Sequence, residues 1–497
     1  MAAAASRPSA LTQQKPLYKI EFKMDRRLAG MLMAGLMWTL TLAADTARPN
    51  IVIYLADDLG YGSINAYGAN EKRVQTPALN RLAESGVVFR QAYATASVCS
   101  PTRYGLLTGR YSWRGRLQHG VVNTNDPLLI EAGTKTLPQW LKGLGYATAH
   151  IGKWHLGYRD SPFENLLGEI SPGPNDVGFN YHFGVPNNMD DVHKIYVENR
   201  TIYGLRSDKI SPYGKSFYGK QYTGYDAPQR NEPEVMGNLT ARAVQWIEQQ
   251  EEGKPFFLYI GAVAVHHPIM PSERKRGTSE AGAYGDFIHD LDDSVGKVME
   301  ALERRGLLDN TLFIFTSDNG GDVPEDPARP ERQAQDAGLE INGTLRGDKH
   351  TIYEGGLRVP LIVSWPEAVT SGSSETLVTT ADVFATIVDI TSADRPPREL
   401  APDSYSFAEV LRNTNVTATR PHAVFRDVFG RKAVRFGPWK YIDNYFPNQG
   451  KRKGLWELYH LEDDPSEEVD LSDAMPERVE QGQQLLQTIL QGSPLPS

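Results

Sequence analysis

The sequence predicts an α/β protein: a mostly parallel sheet with helices on both faces and a smaller α+β subdomain at the C-terminal end. Two observations carry the prediction. Short continuous apolar runs, the mark of strands buried on both sides, alternate with segments whose apolar residues recur at helical spacing. That alternation persists from residue 48 to about 420 without an internal repeat, as doubly wound sheets require. Of the 497 residues 40% are hydrophobic and 23% charged, so the chain has the apolar material for large cores and is not a disordered polymer.

Residues 51–56 form the first such run. Thr76-Pro77 reads as an N-cap followed by proline at the first helical position, and Gly86 ends that helix. A strand follows over 87–93. Thr136 caps a helix through Leu144, and 146–151 is the next strand. Leu239, Ala243 and Ile247 share one helical face, 256–260 is a strand, and Ile288, Leu291, Val295, Val298 and Leu302 mark a long amphipathic helix. Strands at 312–316 and 359–365 complete the main domain, 48–420. Residues 159–233 show no periodicity and are rich in Gly, Pro, Asn and Tyr; aperiodic segments of that length predict functional loops. Strands at 433–436 and 439–443 and a helix over 476–490 predict the α+β subdomain, 421–497.

The beginning of the chain reads as two layers. Residues 1–23 have no apolar pattern and are expected to be disordered or a mis-assigned start. From Met24, Asp25-Arg26-Arg27 precedes a nearly charge-free apolar run over 28–43 that ends in Leu42-Ala43-Ala44, the organisation of a signal peptide over 24–44. The run is short of the ~20 residues a span needs, so the expectation is export to a periplasm or the exterior with no stable membrane span after cleavage. The formal charge of −9 with no basic block argues against nucleic acid as a partner. A single cysteine excludes a disulfide framework, a Cys-rich zinc site and an iron–sulfur cluster.

Ligands of open parallel sheets bind at the carboxyl ends of the strands. There the chain places Asp57-Asp58, Cys99, Lys153 and His155, His266, and Asp318-Asn319. Either acidic pair alone would read as a turn cap. Together they offer oxygen ligands suited to Ca²⁺ or Mg²⁺ rather than zinc. Lys153, Arg103 and Lys349 add positive charge for an anionic substrate. Pro101 is placed as a first-turn proline, so Cys99 sits near a helix N-terminus, whose dipole contributes only ~0.3–1 kcal/mol toward an anion. The cation and the lysines must supply the rest.

The segment Cys99-Ser100-Pro101-Thr102-Arg103, continued by Leu106-Leu107-Thr108-Gly109-Arg110, resembles the signature of the type I sulfatases. So do Asp57-Asp58-Leu59-Gly60-Tyr61-Gly62, Gly152-Lys153-Trp154-His155-Leu156-Gly157, Ser317-Asp318-Asn319-Gly320, Leu345-Arg346-Gly347-Asp348-Lys349 and Glu354-Gly355-Gly356-Leu357-Arg358-Val359-Pro360. Glu457-Leu458-Tyr459 and Asp464-Pro465 extend the resemblance to about residue 470. It implies an alkaline-phosphatase-like fold and a sulfuric ester hydrolase of arylsulfatase type whose cysteine is oxidised, by a formylglycine-generating maturation enzyme, to Cα-formylglycine. Carried over by motif, Asp57, Asp58, Asp318, Asn319 and residue 99 would bind Ca²⁺. Arg103 and His155 would hold the hydrated aldehyde, and Lys153, His266 and Lys349 the sulfate. Asn180 stands where relatives commonly have Asp, and His350 follows Lys349 where glycine is usual.

The chemistry agrees with that resemblance. A gem-diol offers one hydroxyl to attack sulfur and a second to expel sulfate afterwards, a step closed to a plain serine or cysteine. Asp318 suits the base for the attacking hydroxyl, His155 the base for the second, and His266 the acid for the leaving oxygen. The expected substrate is a sulfated carbohydrate, because aromatic rings such as those of 159–233 stack on sugar faces, with Trp113, Arg114, Arg116 and His119 as further subsite candidates. Two other readings stay open: a formylglycine-dependent phosphonate or phosphodiester hydrolase, and a non-catalytic glycan-binding protein.

Overall fold

The computed structural model describes residues 48–392, 400–416 and 420–492; the expectations for 1–23 and 24–44 lie outside them. A ten-stranded sheet organises the molecule. Its strands are β1 (Asn50–Ala56), β2 (Gly86–Phe89), β3 (Ala147–Lys153), β4 (Tyr181–Val185), β5 (Val197–Glu198), β6 (Thr201–Ile202), β7 (Phe256–Gly261), β8 (Thr311–Ser317), β9 (Leu361–Ser364) and β10 (Gly372–Ser374). They lie in the order β10-β2-β9-β8-β1-β7-β3-β4-β5-β6. From β8 to β4 every pairing is parallel. β9 runs antiparallel to both β8 and β2, and β5 and β6 add an antiparallel margin.

β1 shows why the centre of the sheet reads as an unbroken apolar run. Val52, Tyr54 and Ala56 face one core, and Ile51, Ile53 and Leu55 face the other. The first core is closed by α1 (Pro77–Glu84), α4 (Glu232–Glu248) and α5 (Gly282–Arg304). The second is closed by α2 (Cys99–Thr108), α3 (Leu137–Gly143) and α6 (Asp382–Thr391). Among the described residues no helix is long and apolar enough to cross a membrane.

Local differences from the sequence reading have local causes. Thr76 does not cap α1, because its hydroxyl and N–H are taken by Asn65. The free N–H groups of Ala78 and Leu79 are satisfied by Asp292 of α5 instead, at 3.2 and 2.9 Å. Thr136 does cap α3, in a reciprocal pair with Gln139. The strand expected over 87–93 is broken at Arg90 and Gln91; Ala92 and Tyr93 turn away to pair with Val378 and Thr379. The aperiodic 159–233 segment contributes β4, β5 and β6 to the main sheet and two short antiparallel pairs beyond it.

Near the C-terminus β11 (Ala423–Arg426), β12 (Lys432–Phe436), β13 (Trp439–Phe446) and β14 (Lys451–His460) form an antiparallel sheet backed by α7 (Pro476–Gln491). α7 approaches it closely at Gly482, where a Cβ would lie 2.5 Å from that of Tyr441. One face of the sheet packs on Tyr93, Ile352 and Leu357, the other on Tyr111, Trp113 and α7. Lys440, fully buried, bridges Glu354 at 3.0 Å and Glu467 at 2.8 Å, tying this sheet to the loop that carries Lys349.

Candidate active site

The carboxyl ends of the parallel strands collect the residues singled out above. β1 runs directly into Asp57 and Asp58, β8 into Asp318 and Asn319, and Lys153 is the last residue of β3 itself. Gly152 makes that placement possible: at φ 122° it leaves no room for a Cβ, which would lie 1.9 Å from the Gly261 carbonyl of β7. Cys99 opens α2, His155 follows β3, His266 follows β7, and Lys349 arrives on a loop. All ten are buried.

Their contacts form one network. The Cys99 Sγ lies 3.8 Å from Asp57 Oδ1, 3.9 Å from Asp58 Oδ1 and 3.7 Å from Lys153 Nζ. Lys153 donates to both Asp57 oxygens, at 2.9 and 2.7 Å, and Lys349 to Asp58 Oδ2 at 2.6 Å. Arg103 donates from Nε and Nη2 to Asp318 Oδ2, at 3.0 and 2.7 Å, and from Nη1 to the Lys153 carbonyl. The other Asp318 oxygen accepts the Asp58 N–H, and Asn319 donates its amide to Asp58 Oδ1 at 2.8 Å. His266 Nε2 stands 3.6 Å from Asp58 Oδ2, its Nδ1 bonded to the His267 carbonyl. His155 Nε2 meets the Val122 carbonyl at 3.1 Å, and its Nδ1 is buried without a partner. Asp58 and His155 hold left-handed backbones, φ 57° and 55°.

Burial and charge set the protonation of these groups. Burial pushes Asp57 up to about 7 against the pull of Lys153. Burial also opposes ionisation of Asp58, but Lys349 beside it prevails and holds that carboxyl well below its usual range. Burial drives the Cys99 thiol far up, more than Lys153 draws it down, so an unmodified sulfur here is a poor nucleophile. His155 and His266 are pushed down by burial first, and then by Lys153 and Lys349 respectively.

The donor set fits a hard cation. Ligand atoms of Asp57, Asp58, Cys99 and His266 all lie within 4.8 Å of one another. The Oδ1 of Asn319 is buried with no hydrogen-bond partner, an orphaned oxygen of the kind a cation satisfies.

The subsite candidates fare differently. Trp113 is buried in the C-terminal core, stacked on Tyr111 with ring centroids 5.3 Å apart, and Arg114 is buried and bound to Asp403, its Nε at 2.6 Å. Arg116 donates to the Pro127 carbonyl, and His119 is exposed. Of the 159–233 tyrosines, Tyr196, Tyr222 and Tyr225 are core residues, whereas Tyr218 stays exposed. Asn180 bonds Thr148 at the far end of β3 from the site. The sequence reading singles out none of His267, Phe217 and Glu331. His267 adjoins His266, lies 3.3 Å from Glu331 and meets the Phe217 ring. Its adjacency to His266 was the available signal; Glu331 gave none.

Residues 49–393 match the family model described as sulfatase. The chain belongs to the sulfatase family. Residues 346–491 of this sulfatase match a second model, described as the C-terminal part of N-sulphoglucosamine sulphohydrolase. It is 33% identical over 488 residues to an N-acetylgalactosamine-6-O-sulfatase of Bacteroides thetaiotaomicron, covering 90% of this chain and 94% of that one. It is 31% identical to bovine arylsulfatase A, covering 81% and 77%. A solved Bacteroides thetaiotaomicron structure, described in connection with the metabolism of multiple glycosaminoglycans, superposes with a TM-score of 0.81 at 32% identity, covering 89% and 99%. A phosphonate monoester hydrolase of Agrobacterium radiobacter shares the fold alone, with a TM-score of 0.59 at 19% identity. The sulfatase is a sulfuric ester hydrolase with the mixed, centrally parallel sheet of that fold.

Proposed function

We propose that the sulfatase removes the 6-O-sulfate of N-acetylgalactosamine in a sulfated glycan, using residue 99 as formylglycine and a bound Ca²⁺. The observation that supports the chemistry best is the convergence of Lys153, Lys349 and Arg103 with four oxygen donors around a cysteine too hard to ionise to act as a thiolate. The similarity to the 6-O-sulfatase across nearly the whole of both chains supports the sugar.

When oxidised, residue 99 supplies a hydrated aldehyde whose first hydroxyl attacks sulfur and whose second expels sulfate by restoring the aldehyde. Asp57, Asp58, Asp318, Asn319 and residue 99 would hold Ca²⁺, which would supply positive charge to the sulfate pocket. Lys153 and Lys349 bind the sulfate oxygens and stabilise charge on the transferring group. Arg103 fixes Asp318, which takes the proton of the attacking hydroxyl. His155 donates from Nε2 to the Val122 carbonyl, so its bare Nδ1 takes the second proton. His266, its ring fixed by Nδ1–H donation to the His267 carbonyl, turns Nε2 toward the leaving oxygen. Export through the leader over 24–44, maturation by a formylglycine-generating enzyme and a subdomain boundary at 420/421 belong to the same proposal.

Assay of the matured enzyme against defined sulfated sugars tests the substrate. N-acetylgalactosamine 6-sulfate should be turned over faster than its 4-sulfate and than any phosphonate or phosphodiester; preference for the phosphorus esters would replace this reading. Exhaustive chelation should abolish activity and lower the melting temperature by several degrees, since a ligand at a hundredfold its Kd contributes about 2.7 kcal/mol. Unchanged activity and stability, or zinc in the metal analysis, would remove the Ca²⁺ assignment.

A further inference from the structure

We propose that Phe217 and Tyr218 form the face on which the sugar ring of the substrate rests, so that this pair selects the alcohol while the buried residues select the sulfate. The inference rests on the reading of a sulfated carbohydrate as substrate.

Phe217 and Tyr218 are each 55% exposed, side by side. They occupy the tip of a hairpin whose arms, Tyr213–Lys215 and Gln221–Tyr222, pair antiparallel. The tip is held rigidly. Buried Asp190 accepts both the Phe217 N–H and the Tyr222 hydroxyl, and Ser216 N–H donates to the Lys220 carbonyl at 2.8 Å. From the other side the Phe217 ring stands edge-on to His267 with centroids 3.9 Å apart, and Tyr218 lies 6.2 Å from the same ring. Glu331 lies 3.3 Å from His267 Nδ1 and bridges Arg329 at 2.8 Å, and the Arg329 guanidinium sits 5.6 Å from the Phe217 ring centroid. Two exposed rings are thus anchored by buried charge against the neighbour of His266, whose Nε2 faces Asp58.

Exposed rings fixed at the rim of a polar pocket suit a ligand that has an apolar face and a charged end. A sulfated pyranose has both: its C–H face lies on the rings while the sulfate reaches Lys153 and Lys349. The His267 ring that both aromatics meet belongs to the chain neighbour of His266, which places the platform beside the anion pocket rather than on a remote surface.

Matured, Ca²⁺-loaded enzyme tests this with Phe217→Ala, Tyr218→Ala and Tyr218→Phe. Both side chains are more than half exposed, so the variants should melt close to the parent. Each alanine variant should raise KM for the sulfated sugar roughly three- to tenfold, the worth of one aromatic contact, with a much smaller change in kcat. The inhibition constant of inorganic sulfate should not change, and Tyr218→Phe should behave as the parent. An unchanged KM in both alanine variants, or an equal weakening of inorganic sulfate, overturns the platform. A parent enzyme that cleaves other sulfate esters but no sulfated sugar overturns the substrate reading, and the platform with it; that result is read before any variant is made.

Discussion

Replacing Cys99 by alanine should lower turnover of every sulfate ester by at least about 10⁴-fold, the scale on which loss of a nucleophile is felt. Protein made without the oxidising maturation step should fall as far, because the thiol that remains is no substitute. Burial drives that thiol far above its ordinary value, and Asp57 and Asp58 lie within 4 Å of the sulfur, so a thiolate there would face two carboxylates. A sulfated cysteine would also have no second hydroxyl with which to expel the group. Both proteins should keep the parent's circular dichroism, since only a small buried side chain changes. The measurement is initial rate together with the intact mass of the peptide containing residue 99. Comparable rates from Cys99→Ala and the matured enzyme would refute the nucleophile.

His266→Ala should separate two substrates. A positioned general acid contributes ~10²–10⁴-fold when the leaving group needs a proton. A sugar alkoxide needs one, and a nitrophenolate leaves unaided. Turnover of the sulfated sugar should therefore fall by about that range while turnover of an aryl sulfate falls far less. The geometry permits the role, because Nδ1 is committed to the His267 carbonyl and only Nε2 faces the pocket. Burial and Lys349 push the imidazole toward its neutral form, and an anionic sulfate set against Nε2 pulls the other way. Equal losses on both substrates would make His266 a sulfate ligand and leave Lys349 as the next acid to test.

Most of the site was legible because strand ends in a parallel sheet are ligand positions whatever the loops do. Asp57, Lys153 and Asp318 follow apolar runs so closely that the strand fixes where they emerge. The less legible parts depend on partners distant in sequence. Asp292 caps α1 from 214 residues away, and no local pattern around Thr76 announces it. Apolar runs carry no sign of direction, so β9 reads like its parallel neighbours although it runs against β8. β4 is masked because Tyr181 and His182 interrupt its run, and each is satisfied by the fold: Tyr181 by Glu198, His182 by His150 at 2.9 Å. Trp113 and Arg114 read as sugar ligands because their partners are distant in sequence: the C-terminal sheet packs on Trp113, and Asp403 holds Arg114 from 289 residues away.

Asp58 and His155 sit in a backbone region that costs non-glycine residues on the order of 1–3 kcal/mol. Asp and His tolerate it better than most residues. Their side chains offset the cost: Asp58 accepts from Lys349 and Asn319, and His155 meets the Val122 carbonyl. Glycine at either position would relax the backbone but strand a buried partner, Lys349 or the Val122 carbonyl. A library of variants selected for thermal resistance alone should therefore keep Asp58, because the lost ion pair costs about 3–5 kcal/mol against about 1–3 kcal/mol of relieved strain. Any effort to harden this enzyme has to hold those two positions fixed and seek its gains elsewhere.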